Sequence, residues 1–217
     1  MRVHGAVVSQ FGEDHIEQVA TDLADRIFGD SPRQAGNQIF GMRFQNDLST
    51  GPGAGQQKVR KALKTGGIYG LAFAETLTNP AHLPYTENVV NVVRLNSLGN
   101  TPLSEVLRVL TPRGTLLALS GASLNAAKLK AAGFDLISRT KNGALIARKP
   151  WPKNMDTWSH PRHAANGNAV SLDTAVGPPE RVRWVAAAMS EVEGLVTDEG
   201  RNFYGGGLAR DSFNGLR

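Results

Sequence analysis

The chain has 217 residues, enough for one large domain or for a medium domain followed by a smaller module. It contains no cysteine, which excludes disulfides, thiolate metal ligands and cysteine nucleophiles. The net charge is +5, but the basic residues are scattered and no aromatic residue interleaves the densest basic run, 58–64, so nucleic acid is not an expected partner.

Strand and helix patterns alternate through residues 1–149. Apolar and β-branched runs predict strands at 6–8, 38–42, 68–74, 89–93, 115–119, 134–139 and 144–148. Helical periodicity and closing glycines predict helices at 13–28, 57–65, 104–110 and 123–132, the last N-capped by Ser123. Pro112-Arg113-Gly114 is predicted to be a turn, and Asn142-Gly143 is a strong hairpin signal. The sequence therefore predicts a doubly wound, Rossmann-like, mostly parallel α/β sheet with a C-terminal antiparallel hairpin.

The pattern changes at Lys149-Pro150-Trp151-Pro152. Short apolar runs separated by turns follow, and Asp198-Glu199-Gly200 has the composition of a hairpin turn. Residues 150–217 are therefore predicted to form a short all-β module, too small to close a barrel or a propeller. Its three tryptophans are expected to pin it against the first domain.

Three histidines are candidates for chemistry. His160 and His163 have the spacing of a metal pair, but Pro161 argues against a helix and no third ligand is evident. They are predicted to be turn and packing residues, and no metal is expected. His82 lies in a loop beside the expected ligand edge, where it is either a general base or a solvated histidine. No catalytic residue is assigned.

Two segments carry a family resemblance. Residues 83–93 resemble the fourth strand of class I S-adenosylmethionine-dependent methyltransferases, and residues 104–114 resemble their "E-x-x-RvLkPGG" helix and fifth strand. The closing hairpin matches their sixth and seventh strands, so the resemblance covers about residues 1–149. The order of 67–70 and 149–152 resembles bacterial proteins that fuse this domain to a quinoprotein-like, PQQ-binding-like β-propeller. On that resemblance, residues 150–217 are the linker and the truncated first blade.

The methyltransferase resemblance implies that S-adenosylmethionine binds near the carboxyl ends of the first strands. The implied cofactor-binding residues are Gly12, Asp14, Gly41, Glu75, Leu83 and Pro84, with the last two near the adenine. Four positions depart from the family pattern: Phe11, Glu13 and His15 replace expected glycines, and Arg43 replaces the acid that would hold the ribose. Asp47, four residues further on, substitutes for that acid only if its loop folds back. Because each unmade ligand hydrogen bond costs about 1–3 kcal/mol, the cofactor site is expected to be weakened.

Three functions remain open at this stage. The first is a methyltransferase acting on a small-molecule acceptor, the second a non-catalytic scaffold or interaction module, and the third a fragment of a PQQ-dependent dehydrogenase-like protein. A quinone site needs many blades, so PQQ is not expected to bind here, whereas an exposed blade edge would favour a protein partner. Without a membrane-spanning run or signal peptide the chain is expected to be cytoplasmic, although the resembled family is usually exported.

Overall fold

The computed structural model contains ten named strands and two named helices in the part of the chain that it describes. The described residues are 7–9, 40–44, 57, 60–61, 64–67, 72–76, 79, 81–95, 98–119, 122–175, 177–178, 182, 184–185, 194–205 and 208–215. The first domain contains β1 (Val7–Ser9), β2 (Phe40–Phe44), β3 (Ala72–Thr76), β4 (Val90–Leu95), α1 (Leu103–Val109), β5 (Leu110–Ala118), α2 (Ala126–Ala131), β6 (Asp135–Arg139) and β7 (Leu145–Arg148). The C-terminal module contains β8 (Val196–Asp198), β9 (Arg201–Tyr204) and β10 (Leu208–Asp211). The predicted helix 13–28 lies outside the described residues.

The first domain is built on a mixed sheet of parallel and antiparallel strands. Five strands lie in the order β1-β4-β5-β7-β6, and β2 pairs with β3 in a separate two-stranded sheet. The β1–β4, β4–β5 and β2–β3 pairs are parallel, whereas β7 pairs antiparallel with both β5 and β6. Because β2 packs beside β1, the strands follow one another in the order β3, β2, β1, β4, β5, β7, β6. The predicted closing hairpin at residues 140–143 is confirmed, with Thr140 N–H donating to Ala144 C=O at 2.8 Å.

The hydrophobic core lies between β4, β5, β7 and the two helices. Alternating residues of the strands and one face of each helix supply it, as the predicted periodicities require. Burial of each large side chain contributes about 1.5–3 kcal/mol. Its most deeply buried members are Val90, Val93, Val106, Val109, Leu110, Leu116, Leu129 and Ala147.

The predicted start of β5 at residue 115 is wrong, because the strand spans Leu110–Ala118. The predicted turn Pro112-Arg113-Gly114 lies inside that span, where Arg113 has a φ of +65°. Leu110, which follows α1, already has extended backbone, so the strand begins without a loop. The turn residues form an irregularity in the β4–β5 pairing: Val90 pairs with Leu110, but Val92 pairs with Thr115. Gly114 permits this close approach, because a Cβ there would lie 2.7 Å from the Thr111 carbonyl oxygen.

The N-cap predicted for the second helix is also wrong. Ser123 has a φ of +54°, whereas an N-cap residue needs extended backbone. Asn125 has that backbone, and its side-chain oxygen accepts a hydrogen bond from Lys128 N–H at 2.8 Å. The helix therefore begins at Ala126, three residues later than predicted.

The C-terminal module is a small antiparallel sheet in the order β10-β9-β8. The predicted hairpin at residues 198–200 is confirmed by the pairing of β8 with β9. The tryptophans contact this module itself. Trp151 packs edge-on against Phe213 with ring centroids 6.2 Å apart, and Trp184 Nε1 donates to the Ser212 carbonyl. The Trp158 backbone pairs with Thr197.

Polar contacts join the C-terminal module to the first domain. Asn91 donates to Asp211 Oδ2 at 2.7 Å, Asn214 donates to the Val89 carbonyl at 3.0 Å and to Asn91, and Arg113 pairs with Glu199 at 2.9 Å. Val89 and Asn91 lie at the start of β4. The module therefore contacts the amino-terminal edge of the parallel strands, opposite their carboxyl ends. None of the helices in the described ranges has the length and apolar character that a bilayer crossing takes.

We expect the substitution Gly200→Ala to destabilise the C-terminal module by about 2 kcal/mol, from backbone strain together with overpacking. Gly200 has a φ of +80°, and a Cβ there would lie 2.7 Å from the Phe213 ring. Gly143 is a matched control, because its φ is +79° but a Cβ there would meet nothing within 4 Å. Gly143→Ala should therefore cost about 1 kcal/mol, from strain alone.

Urea unfolding followed by tryptophan fluorescence measures the difference, since all three tryptophans lie between residues 151 and 184. Equal losses of unfolding free energy in Gly200→Ala and Gly143→Ala would contradict the packing of Phe213 against this turn.

Candidate ligand site at the carboxyl edge of the sheet

The strand order creates a switch point between β1 and β4. From β1 the chain continues to β2 and β3 on one side, whereas β4 and β5 lie on the other side. In open α/β sheets, ligands bind outside the carboxyl ends of the strands at such a point, because the following loops diverge there. The relevant ends in this chain are Ser9 and Leu95.

A cleft of about 570 Å³ opens beside this edge. The residues after β4 and those after β5 form it together with α2, and its lining includes Leu98, Leu103, Ala122, Ser123 and Lys128. The Leu119 N–H donates to the Leu95 carbonyl at 2.8 Å, which holds the two strand ends together beneath the cleft. The volume lies within the range of small-molecule sites.

The cofactor residues implied by the family resemblance occupy different positions. Gly12 and Asp14 lie outside the described residues, as do the departures Phe11 and Glu13. Gly41 is the second residue of β2 and Glu75 the fourth of β3. Arg43, which stands where the family has an acid, pairs in register with Glu75, the acid that the resemblance assigns to the cofactor. The two residues therefore lie side by side on neighbouring strands. Their cofactor roles stay predictions.

Leu83 and Pro84 differ in their exposure. Leu83 is buried in the hydrophobic core, at 4% exposure, whereas Pro84 is exposed. Neither residue belongs to the lining of the 570 Å³ cleft. The proposed contact of this dipeptide with an adenine also stays a prediction.

An ion pair between buried Glu105 and half-buried Arg108 fixes this segment to α1. Glu105 is 7% exposed, and its carboxylate accepts from Arg108 Nε at 2.8 Å and from Arg108 Nη2 at 2.6 Å. Glu105 also accepts from Leu83 N–H at 2.6 Å, while Arg108 donates to the carbonyls of Leu83 and Tyr85. The hydrogen bond from Arg108 lowers the pKa of Glu105 more than burial raises it. The pair therefore holds residues 83–85 through both backbone and charge.

His82 lies at the rim of this ion pair. Its Nδ1 is 3.3 Å from Glu105 Oε1, and its side chain is 65% exposed. Because Glu105 is already bonded to Arg108, its carboxylate is a weaker orienting partner for the imidazole than a free one would be. Both interpretations, general base and solvated loop histidine, stay open for this residue.

Arg94 is a candidate binding residue to which sequence reasoning assigned no role. It is the fifth residue of the six-residue β4, and its register partners are Ser9 in β1 and Leu117 in β5. The half-buried guanidinium therefore belongs to the strand at the switch point, and burial lowers its pKa. The sequence does contain a signal for this residue: Arg94 directly follows the apolar run 89–93, at the end of a strand, which is where ligands bind in such sheets.

His163, one of the two histidines of the C-terminal segment, is held by packing and a hydrogen bond. His163 is buried, its Nε2 lies 2.6 Å from Asp156 Oδ2, and its ring packs edge-on against Trp158. Backbone N–H groups of Leu172 and Thr157 bond the Asp156 carboxylate and lower its pKa to about 2. Among the described residues no group of three or more His, Cys, Asp or Glu side chains could hold a metal ion. Asp156 thus ties three stretches of chain together.

Comparisons with known proteins return similarities of fold only. No protein-family model and no curated protein matches the chain. Among solved structures it is similar to the [4+2]-cyclase SpnF, with 15% identity and a TM-score of 0.47, covering 69% of this chain and 77% of that one. It is also similar to the antibiotic-resistance methyltransferase Kmr, at 16% identity and a TM-score of 0.40, covering 69% and 88%. A SAM-dependent methyltransferase from Methanosarcina mazei gives 11% identity and a TM-score of 0.39, covering 70% and 95%.

Proposed function

We propose that the first domain is a methyltransferase-type domain that binds S-adenosylmethionine through a weakened site and offers its methyl group to a small-molecule acceptor. The observation that carries this proposal is the cleft beyond the carboxyl ends of β4 and β5, on the edge where an open α/β sheet binds its ligand. The sequence resemblance of residues 67–119 to class I methyltransferases supplies the identity of the cofactor. When bound, the cofactor provides an electrophilic methyl group.

The protein's contribution to such a reaction is positioning. Transfer needs the acceptor atom in line with the methyl–sulfur bond, and holding two reactants in that geometry lowers the barrier without a covalent intermediate. The cleft supplies apolar walls for an acceptor, and the carboxyl ends of β1 to β3 supply the cofactor side. Arg43 at the end of β2 lacks the acceptor oxygens that ribose hydroxyls require, which weakens cofactor binding.

Isothermal titration of the full chain with S-adenosylmethionine and S-adenosylhomocysteine tests this function. Two lost contacts of about 1–3 kcal/mol each shift a micromolar site to a Kd of roughly 0.03 mM or weaker. We expect Arg43→Glu, which restores an acid at the end of β2, to tighten binding about tenfold. Lys153→Glu is the control with the same change in charge, because Lys153 lies exposed in a turn of the C-terminal module.

The possible results separate the two halves of the proposal. A micromolar Kd for the unchanged chain would contradict the weakened site. No binding at millimolar cofactor, by the folded unchanged chain and by folded Arg43→Glu alike, would overturn the cofactor assignment. Equal gains in Arg43→Glu and Lys153→Glu would indicate a general electrostatic effect instead of a ribose contact.

A scaffold function is the second candidate, favoured by the polar junction between the two modules. Asn91, Asp211 and Asn214 form a hydrogen-bonded group at the edge opposite the cleft. We also propose that β8, β9 and β10, three consecutive antiparallel strands, begin a propeller blade. Further blades in the reading frame downstream would support the propeller, and their absence from it would contradict it. A single blade is not expected to bind PQQ, which absorbance titration with the quinone checks.

A further inference from the structure

The cleft at the carboxyl edge has one apolar wall and one basic group. Its apolar lining consists of Leu98, Leu103, Ala122, Leu124 and Ala131. Among the described lining residues, Ser123 and Lys128 are the ones with polar side chains, and none is acidic. We propose that this cleft binds a small apolar molecule carrying a single anionic group, with the Lys128 ammonium as the partner of that anion.

The position of Lys128 is fixed by the start of α2. Its backbone N–H donates to Asn125 Oδ1 at 2.8 Å, which anchors the first turn of the helix. Its side chain is exposed and, within the described part of the chain, no carboxylate pairs with its ammonium. The charge is therefore available to a ligand at no cost in broken ion pairs.

The apolar wall determines the rest of the ligand. Ala122 is buried at 3% exposure, and Leu98, Leu103 and Leu124 are half-buried, so each still presents apolar surface to the cleft. Covering such surface stabilises a complex, because apolar area is removed from water. A hydrophilic anion would leave this wall wet, and an apolar cation would be repelled by Lys128. Charge and hydrophobicity together select an apolar anion.

This inference deepens the proposed function in one respect only. That the apolar anion is the methyl acceptor rests on the proposed function. That the cleft binds an apolar anion does not, because Gly41, Glu75, Leu83 and Pro84, the described members of the implied cofactor set, lie outside its lining.

Fluorescence titration of the full chain, without S-adenosylmethionine, tests the inference with two probes of similar shape. The anionic probe is 8-anilinonaphthalene-1-sulfonate, and the uncharged probe is N-phenyl-1-naphthylamine. We expect Lys128→Met to weaken binding of the sulfonate probe about tenfold, because it removes a charged hydrogen-bond partner, and to leave the affinity for the uncharged probe within about twofold. Octanoate should displace the sulfonate, and octylammonium should not.

Two control variants keep the result specific. Lys130→Met removes an exposed charge from the same helix without touching the lining, and should leave both probes unchanged. Ala131→Trp should fill the cleft and weaken both probes at least tenfold, with far-UV circular dichroism confirming that α2 is retained. Equal effects of Lys128→Met and Lys130→Met, or unchanged binding in Ala131→Trp, would overturn the inference. If the probes bind but S-adenosylmethionine does not, the cleft still binds apolar anions, and only its assignment as the acceptor site is overturned.

Discussion

We expect Arg108→Met to destabilise the chain by about 3 kcal/mol, because its removal leaves the charge of the buried Glu105 carboxylate unpaired. The variant leaves Glu105, which is 7% exposed, without its two hydrogen bonds from the guanidinium. It also removes the donor to the carbonyls of Leu83 and Tyr85, so the segment that leads into β4 loses its anchor. Urea unfolding at pH 7, followed by far-UV circular dichroism, measures the loss.

Two further variants calibrate this result. Arg139→Met is the matched control, because the Arg139 side chain is exposed and donates to the Gly143 carbonyl; its loss should cost about 0.5 kcal/mol. Arg108→Lys keeps the charge but not the forked geometry of the guanidinium. Its unfolding free energy should lie between those of the unchanged chain and Arg108→Met. A loss in Arg108→Met no larger than in Arg139→Met would show that the ion pair does not hold this segment.

The pH dependence gives an independent readout of the same pair. Arg108 holds the pKa of Glu105 below its ordinary value of 4.5, so the contribution of the pair is present above that value. It is lost as the pH falls through the lowered pKa, where the folded carboxylate takes up a proton. The difference in unfolding free energy between the unchanged chain and Arg108→Met should therefore be largest near neutral pH and shrink in acid.

The regular elements of the first domain could be predicted from sequence because local signals determine them. The apolar run at 89–93 and the Asn-Gly turn at 142–143 each specify their structure within a few residues. β4 (Val90–Leu95) and the β6–β7 hairpin accordingly lie close to the predicted positions. The alternation of strands and helices predicted parallel pairing, and the parallel β1–β4 and β4–β5 pairs confirm it.

The errors arose where neighbouring backbone overrode a local signal. Pro112 and Gly114 flank Arg113, whose φ of +65° interrupts the strand, but β5 begins before them because the chain passes from α1 into the strand without a loop. Ser123 is as good a cap residue as Asn125, and only the backbone angle of Ser123 decides between them. The lining of the cleft could not be predicted at all, because it joins residues from separate loops.

A single ammonium group joins three parts of the first domain near the end of β7. Lys149 Nζ donates to Asn88 Oδ1 at 2.6 Å and to the Leu110 carbonyl at 2.8 Å, and it lies 3.4 Å from the Arg108 carbonyl oxygen. Its backbone pairs with Arg113 and Gly114 on β5. Burial and the nearby Arg108 charge lower the pKa of Lys149 to about 8. The side chain therefore connects the segment before β4, the end of α1 and the closing hairpin.

We expect Lys149→Met to destabilise the chain by about 3 kcal/mol at pH 7, since it leaves two acceptors without their donor at about 1–3 kcal/mol each. Lys141→Met, in the exposed hairpin turn, is the control and should cost less than about 0.5 kcal/mol. Urea unfolding of the three proteins measures these differences.

The same comparison at alkaline pH tests the lowered pKa. Between pH 8 and the ordinary value of 10.5, the unfolded chain holds the Lys149 proton and the folded chain has released it. Stability rises with pH wherever the unfolded state binds more protons, so this lysine contributes a rise over that interval. The Lys149→Met variant lacks this contribution. The difference in unfolding free energy between it and the unchanged chain should therefore widen from pH 7.5 to pH 10. A constant gap would mean that Lys149 titrates normally and that its ammonium is well solvated, which its contacts with Asn88 and Leu110 argue against.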